Sequence, residues 1–145
     1  MENLANIKSF SSVDELEVAM LENFDKVDCP LTHRFTEGLY VREIFMPKDT
    51  LITSKIHKTQ HQYFVLKGKV LVWIDGVEQI IEAPYIGVTE PNTQRVLLVL
   101  EDCIWATSHP NPNNESVEEI ENRILENHEN ILLKENSNKT LNIEL

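Results

Sequence analysis

Cysteine is scarce in this chain. Cys29 and Cys103 stand far apart without CxxC spacing, which argues against a disulfide framework or a cysteine zinc site and leaves two buried thiols. Long apolar runs are missing too. None approaches the roughly 18 residues of a membrane helix, and the opening MENLANIKSF lacks a basic-then-apolar signal, so the expected location is the cytoplasm. Positive charge is in short supply, with 13 Lys and Arg against 24 Asp and Glu and a formal net charge of -11. That excess repels phosphate backbones and excludes nonspecific nucleic-acid binding. At 145 residues the chain is too short for a two-domain enzyme, yet its 41% apolar content suffices for one domain with a real core.

Periodicity divides the chain into three zones. In the first, residues 1–38, Val13, Leu16, Met20 and Phe24 recur at helical spacing behind a capping box of Ser12 and Glu15, which predicts a short docking helix. From 39 to 110, short runs of Val, Ile, Leu and aromatics are divided by Pro, Gly, Asp and Asn, the punctuation of an all-β domain. Strands are expected near 39–46, 50–57, 61–67, 69–75, 77–82, 85–89, 94–100 and 103–109, which suggests a closed double sheet. Asp75-Gly76 has the positive-φ chemistry of a type I′ hairpin turn, and Gly68 permits a tight change of direction between FVLK and KVLVW.

The third zone, 111–145, holds eight acidic and three basic side chains. Ser116 and Glu119 repeat the capping box, and Val117, Ile120, Ile124 and the Ile131–Leu133 cluster form an intermittent apolar stripe, so a helix is expected over about 116–135. Its apolar face packs either on its own barrel or on a second subunit, and both arrangements stay open.

The densest chemistry lies in Ile56-His57-Lys58-Thr59-Gln60-His61. Read as a hairpin with loop Lys58 to Gln60, it makes His57 and His61 cross-strand neighbours with Cβ atoms about 4.5 to 5.5 Å apart, close enough for one ion to bridge them. A zinc-protease helix is excluded, because Lys58 occupies the place of the glutamate base. His109 shares the alternation of Trp105 and Thr107 and is the best third ligand. Three neutral imidazoles suit a divalent transition metal and leave positions for water or substrate. The alternative is a polar pocket of hydrogen-bonded histidines without metal. His33 reads as a structural hydrogen-bonding residue, and His128 as a solvated residue of the tail helix. On strand alternation Tyr40 and Arg42 share one face, as do Thr53, Lys55 and His57. Pointing inward, Arg42, Lys55 and Arg95 form a cationic lining for a carboxylate or phosphate. The competing expectation is that these cations pair with Glu43, Glu78 or Glu90. Trp73, Tyr63, Tyr85 and Trp105 read first as core or barrel wall, with Trp105 also a candidate contact for the ligand.

The segments LTHRF, GLYVREIFMP, SKIHKTQHQYFVLKGKVLVW, APYIGVTEP and EDCIWATSHP resemble small single-domain cupins of bacterial and phage genomes, over roughly Leu31 to Pro110. The resemblance implies a mostly β fold: a cupin-like double-stranded β-helix, or jelly-roll barrel, with a short N-terminal helix and a C-terminal helix. Aligned on Val65-Leu66-Lys67-Gly68, His57 takes the second histidine of the first cupin motif, His61 the glutamate, and Lys55 the first histidine. Pro91-Asn92-Thr93 matches the Pro-x-Gly turn of the second motif, with Asn able to take the left-handed conformation, while Val96 stands where that motif has a histidine. The usual three-histidine, one-glutamate site is therefore not intact.

Three functional readings follow. The first is a metal-assisted enzyme on a small anionic ligand, with His57, His61 and His109 holding zinc, iron, manganese or nickel, and Tyr40 or Arg42 orienting substrate. The second is a binding protein without turnover, with Tyr40, Arg42, Lys55, Arg95 and Trp105 around the ligand. One version is a phage-type counter-defence protein that sequesters or degrades a nucleotide signal in the host cytoplasm. The third is a structural role, in which the tail and the N-terminal helix mediate assembly. A homodimer is expected under each, as the resemblance implies.

Overall fold

The computed structural model describes residues 10–126. Helix α1 (Val13–Asn23) is followed by seven strands: β1 (Leu31–Thr36), β2 (Gly38–Met46), β3 (Leu51–Thr53), β4 (His61–Ile74), β5 (Val77–Glu82), β6 (Tyr85–Thr89) and β7 (Val96–Asn111). Helix α2 (Val117–Ile124) ends the described chain. All strand pairings are antiparallel, in the order β1-β2-β7-β4-β5, with β3 on β7 and β6 on β4.

Both long strands serve two parts of the barrel. The first half of β4 pairs with β6 and the second half with β5, while β7 takes β3 on its first half and β2 on its second. Between the halves the β4–β7 register slips at Val65/Lys67, Lys67/Lys69 and Lys69/Val70. Such irregularities bend a strand and raise its local twist, which turns one sheet into a closed container. Gly68 sits at this bend with φ +89, and a Cβ there would strike the Asp102 carbonyl. The expected pair of strands on either side of Gly68 is thus one strand, because the glycine makes a close crossing with β7 and not a turn. The runs expected at 94–100 and 103–109 likewise join in β7. β1 lies ahead of the expected first strand and pairs with β2 along its whole length.

Local chemistry sets the other boundaries. Asp75 (φ 49) and Gly76 (φ 78) both adopt positive φ, closing the β4–β5 hairpin as expected. Ser12 Oγ accepts from the Glu15 amide and Ser116 Oγ from the Glu119 amide, so both predicted caps form. α1 buries Leu16, Glu17, Met20 and Leu21, and packs against Val96, Leu51 and Trp73. Phe24, expected on its buried stripe, is the C-cap and is exposed. α2 stops at Ile124, shorter than expected, because Leu125 turns extended and bridges to His57. The remainder of the expected tail helix, with Ile131–Leu133 and His128, lies outside the described residues.

The barrel interior changes character along its axis. Ile44, Trp105, Val65 and Tyr85 stand in register across β2, β7, β4 and β6. The next inward row is Arg42, Thr107, Tyr63 and Gly87, and the outermost row holds Tyr40 opposite His109 and His61 opposite Thr89. Period-two alternation on four strands therefore collects the polar inward residues at one end of the barrel.

Candidate functional site

The three expected imidazoles meet at that end. His57 and His61 have ring centroids 4.8 Å apart, and His61 and His109 are 4.5 Å apart. They are 2%, 5% and 1% exposed, so the rings face inward. The route to this convergence differs from the expected hairpin. His61 pairs with Thr89, while His57 lies outside any strand and donates its amide to the Thr93 carbonyl at 3.1 Å. The Asn92 amide returns a bond to the His57 carbonyl at 2.7 Å, made possible by Asn92 at φ 67. The left-handed turn is the one expected for Pro91-Asn92-Thr93, and its additional role is to support His57.

The surroundings of His61 and His109 disfavour their charged forms. Burial, opposed by the bond to Thr59 and aided by the Arg95 charge, lowers the His61 pKa. The Nδ1–H of His61 donates to the Thr59 carbonyl at 3.1 Å, which leaves the lone pair on Nε2, an atom without a hydrogen-bond partner. His109 is pushed down to about 3, first by burial and then by His61, His57, Arg42 and Arg123. Its Nε2 shares a 2.9 Å hydrogen bond with Thr107 Oγ1, and its Nδ1 has no partner.

Arg95 is the central cation. It is 4% exposed, its Nη2 donates to Thr89 Oγ1 at 3.0 Å, and its guanidinium lies over the rings of Tyr63 (4.8 Å) and Trp105 (5.7 Å). No ion pair joins it to a carboxylate among the described residues, and its Nε has no hydrogen-bond partner. Burial lowers its pKa, and the Tyr63 hydroxyl beside it acts in the opposite sense. Tyr63 in turn lies parallel to Trp105, with centroids 4.6 Å apart and 5° between planes. Gly87 makes room for that ring, since a Cβ at 87 would overlap its outer edge. Tyr63 was expected only as wall. Its place two residues after His61, on the same face of β4, was the signal that puts it in the site.

The other expected residues are placed as follows. Tyr40 is fully buried, shares a 2.6 Å hydrogen bond with Nδ1 of His33 and stacks with His109 at 5.9 Å. Arg42 is 5% exposed and pairs with Glu121 at 3.2 Å. Its carboxylate is neither Glu43, Glu78 nor Glu90. Glu43 instead meets Arg34 at 3.0 Å. Trp105 is part of the main apolar core. Lys55 follows the end of β3 and is half-buried on the connection to β4, so it does not share a strand face with His57. Thr53, also expected to look into the cavity, bonds the buried Glu17 of α1 at 2.9 Å. A cleft of about 480 Å3 lies elsewhere, between the start of α1 and the β4–β5 turn, and is lined by Phe10, Leu16, Trp73 and Gly76.

The donor set does not suit a divalent metal. Among the described residues no three His, Cys, Asp or Glu side chains form a metal-binding group. Arg95, which has no carboxylate partner among the described residues, repels a cation at His61, and Arg42, although paired with Glu121, acts on His109 in the same sense.

The imidazoles and guanidinium groups are thus gathered inside one end of a jelly-roll barrel. Solved structures agree on the fold. A cupin superfamily protein from Desulfitobacterium hafniense superposes with a TM-score of 0.51 at 4% identity, covering 59% of this chain and 80% of that one. An uncharacterized protein with a double-stranded β-helix domain from Klebsiella pneumoniae gives 0.50 at 15% identity, over 66% of this chain and 90% of its own. A putative ethanolamine utilization protein Q from Salmonella typhimurium gives 0.50 at 12% identity, over 59% and 71%. The chain has the cupin double-stranded β-helix fold. No family model and no curated protein matches the sequence, and no helix among the described residues is long and apolar enough to cross a membrane.

Proposed function

We propose that this protein binds a small anionic molecule inside the imidazole end of its barrel. Arg95 holds the acidic group and the Tyr63–Trp105 pair forms the wall. The observation that carries the reading is a guanidinium 4% exposed with no carboxylate partner among the described residues. A buried charge without a counter-ion is costly, and an arriving anion removes that cost while gaining charge-assisted hydrogen bonds. His61 adds to this. Once an anion is in place, His61 gains a reason to take a proton on Nε2 and donate from it, so binding and proton uptake are linked. The reading needs no metal and no turnover. It takes the cytoplasm as the site of action and includes self-association as a homodimer, supported by exposed Leu66, Ile86 and Val88 on the solvent side of β4 and β6.

The test is calorimetric titration with phosphate, pyrophosphate, small dicarboxylates and mononucleotides, set beside the Arg95→Met protein. At least one of these anions binds, and the substitution weakens it by about 10- to 100-fold, the value of a hydrogen bond to a charged group. Equal affinities in the two proteins reject the assignment. Recovery of the bound molecule after denaturation separates the two versions of the reading, since an intact nucleotide means sequestration and a hydrolysed one means an enzyme. Light scattering on the same samples reports the dimer, and a monomer mass removes that part of the proposal.

A further inference from the structure

The polar end of the barrel is closed by the chain itself. Ile120, Ile124 and Leu125 form one buried cluster with Tyr40, directly beside His109. Around them a ring of polar contacts ties α2 to the barrel. The Lys58 amide donates to the Ile124 carbonyl at 2.7 Å, the Glu126 amide to the Ile56 carbonyl at 2.9 Å, and Lys58 Nζ to the Asn122 carbonyl at 2.9 Å. With the imidazoles and Arg95 all at 5% exposure or less, a molecule reaches them only when something moves. The covering element is short, follows β7 through a five-residue connection and sits on the 56–58 segment, which is not part of a strand.

One of its contacts differs in kind from the rest. Arg42 projects from β2 in register with Thr107, the same inward row that holds Tyr63, and meets Glu121 of α2 at 3.2 Å. The cation is almost fully buried and the carboxylate is 29% exposed, so the acidic partner is brought in from the outside. Arg95 lies over the Tyr63 ring of that row, without a carboxylate of its own among the described residues. We propose that α2 is a lid and that the Glu121 carboxylate is a built-in competitor, occupying on Arg42 the position taken by the second acidic group of a doubly acidic ligand.

This rests on the anion-binding reading and deepens it in two ways. It gives the ligand class, a molecule with two acidic groups, one on Arg95 and the other on Arg42. It also makes entry a displacement, in which Glu121 leaves Arg42 and the lid bonds to Ile56 and Lys58 open.

The experiment compares the full chain with Glu121→Gln and Glu118→Gln. The control removes the same unit of charge from an exposed position of α2. Two readouts are taken: amide hydrogen exchange at Lys58 and Glu126 without ligand, and the affinity for inorganic pyrophosphate. Glu121→Gln is expected to speed exchange at both amides and to tighten pyrophosphate on the order of fivefold, as for loss of a competing half-exposed ion pair. Glu118→Gln is expected to do neither. Equal exchange in the two variants overturns the lid, and pyrophosphate affinity that is unchanged or weaker in Glu121→Gln overturns the competitor. If affinity depends on Arg95 and is indifferent to Glu121, this inference falls and the anion site stands. If none of the proteins binds pyrophosphate, the doubly acidic ligand falls, and the wider anion series with Arg95→Met then decides the site itself.

Discussion

The guanidinium of Arg95 stands 4.8 Å from the centroid of the Tyr63 ring, inside the barrel and away from every carboxylate that could pair with it among the described residues. A cation–π contact in a desolvated setting is worth roughly 2 kcal/mol, less than the several kcal/mol of effective penalty for burying an ion. The balance is unfavourable until an anion arrives.

Arg95→Met should therefore leave the ligand-free protein as stable as before or more so, by about 1 kcal/mol, while weakening anion binding by about 10- to 100-fold. Urea denaturation without added anions measures this. A loss of more than about 2 kcal/mol would make Arg95 a structural residue.

The histidines make stability depend on pH. A histidine has an ordinary pKa of about 6.5 in the unfolded chain, whereas His109 in the fold is held down at about 3. Above the unfolded value neither state binds the proton and nothing changes. As pH falls through that value the unfolded chain takes up a proton that the folded chain refuses, so stability is lost at up to about 1.4 kcal/mol per pH unit until the folded pKa is reached. His61, also lowered, adds in the same direction. Denaturation midpoints at pH 7.5, 6 and 5 should fall steeply, and His109→Gln should flatten the slope. An identical slope in the variant would mean that the acid sensitivity lies elsewhere.

Gly87 is a sensitive position despite lying on a short strand. A methyl group there meets the edge of the Tyr63 ring, and one face of that ring is stacked on Trp105 at 4.6 Å. Gly87→Ala should cost about 1 to 3 kcal/mol, typical of overpacking, and weaken anion binding by tilting the wall. Near-ultraviolet circular dichroism reports the Tyr63–Trp105 pair, and an unperturbed spectrum at full stability would contradict this.

Metal content separates the imidazole cluster from a metal centre. Protein purified without added metal should carry zinc, iron, manganese and nickel at well below one equivalent, and His57→Ala with His61→Ala should not alter that figure. Stoichiometric metal that disappears in the double variant would overturn the electrostatic argument from Arg42 and Arg95.

The parts of this site that were legible in sequence are those set by short-range chemistry. Asp75-Gly76 and Asn92 announce their turns because positive φ favours few residue types. The strand over 77–82 and the one over 85–89 follow from alternation between turn residues. His57 and His61 do converge, yet by way of Thr93 and Thr89 and not through a hairpin of their own. Gly68 was misleading. A glycine at a turn and a glycine at a strand crossing look alike in sequence, and only the approach of Asp102 tells them apart.

Sequence alone, through caps, turn residues and period-two alternation, determined the β architecture and placed Tyr40 with Arg42, and Trp105 with His109, on shared strand faces. Those signals act within a few residues, so they report each strand and say nothing of its distant neighbours. Tertiary structure decided that Arg42 meets Glu121 and not a strand carboxylate, that Arg95 meets Tyr63 with no acid beside it among the described residues, and that α2 packs on Tyr40 at the imidazole end in the same chain. Each of those outcomes depends on how a barrel end with a polar interior and an amphipathic helix bury their surfaces together, a balance of packing and desolvation that no local pattern contains.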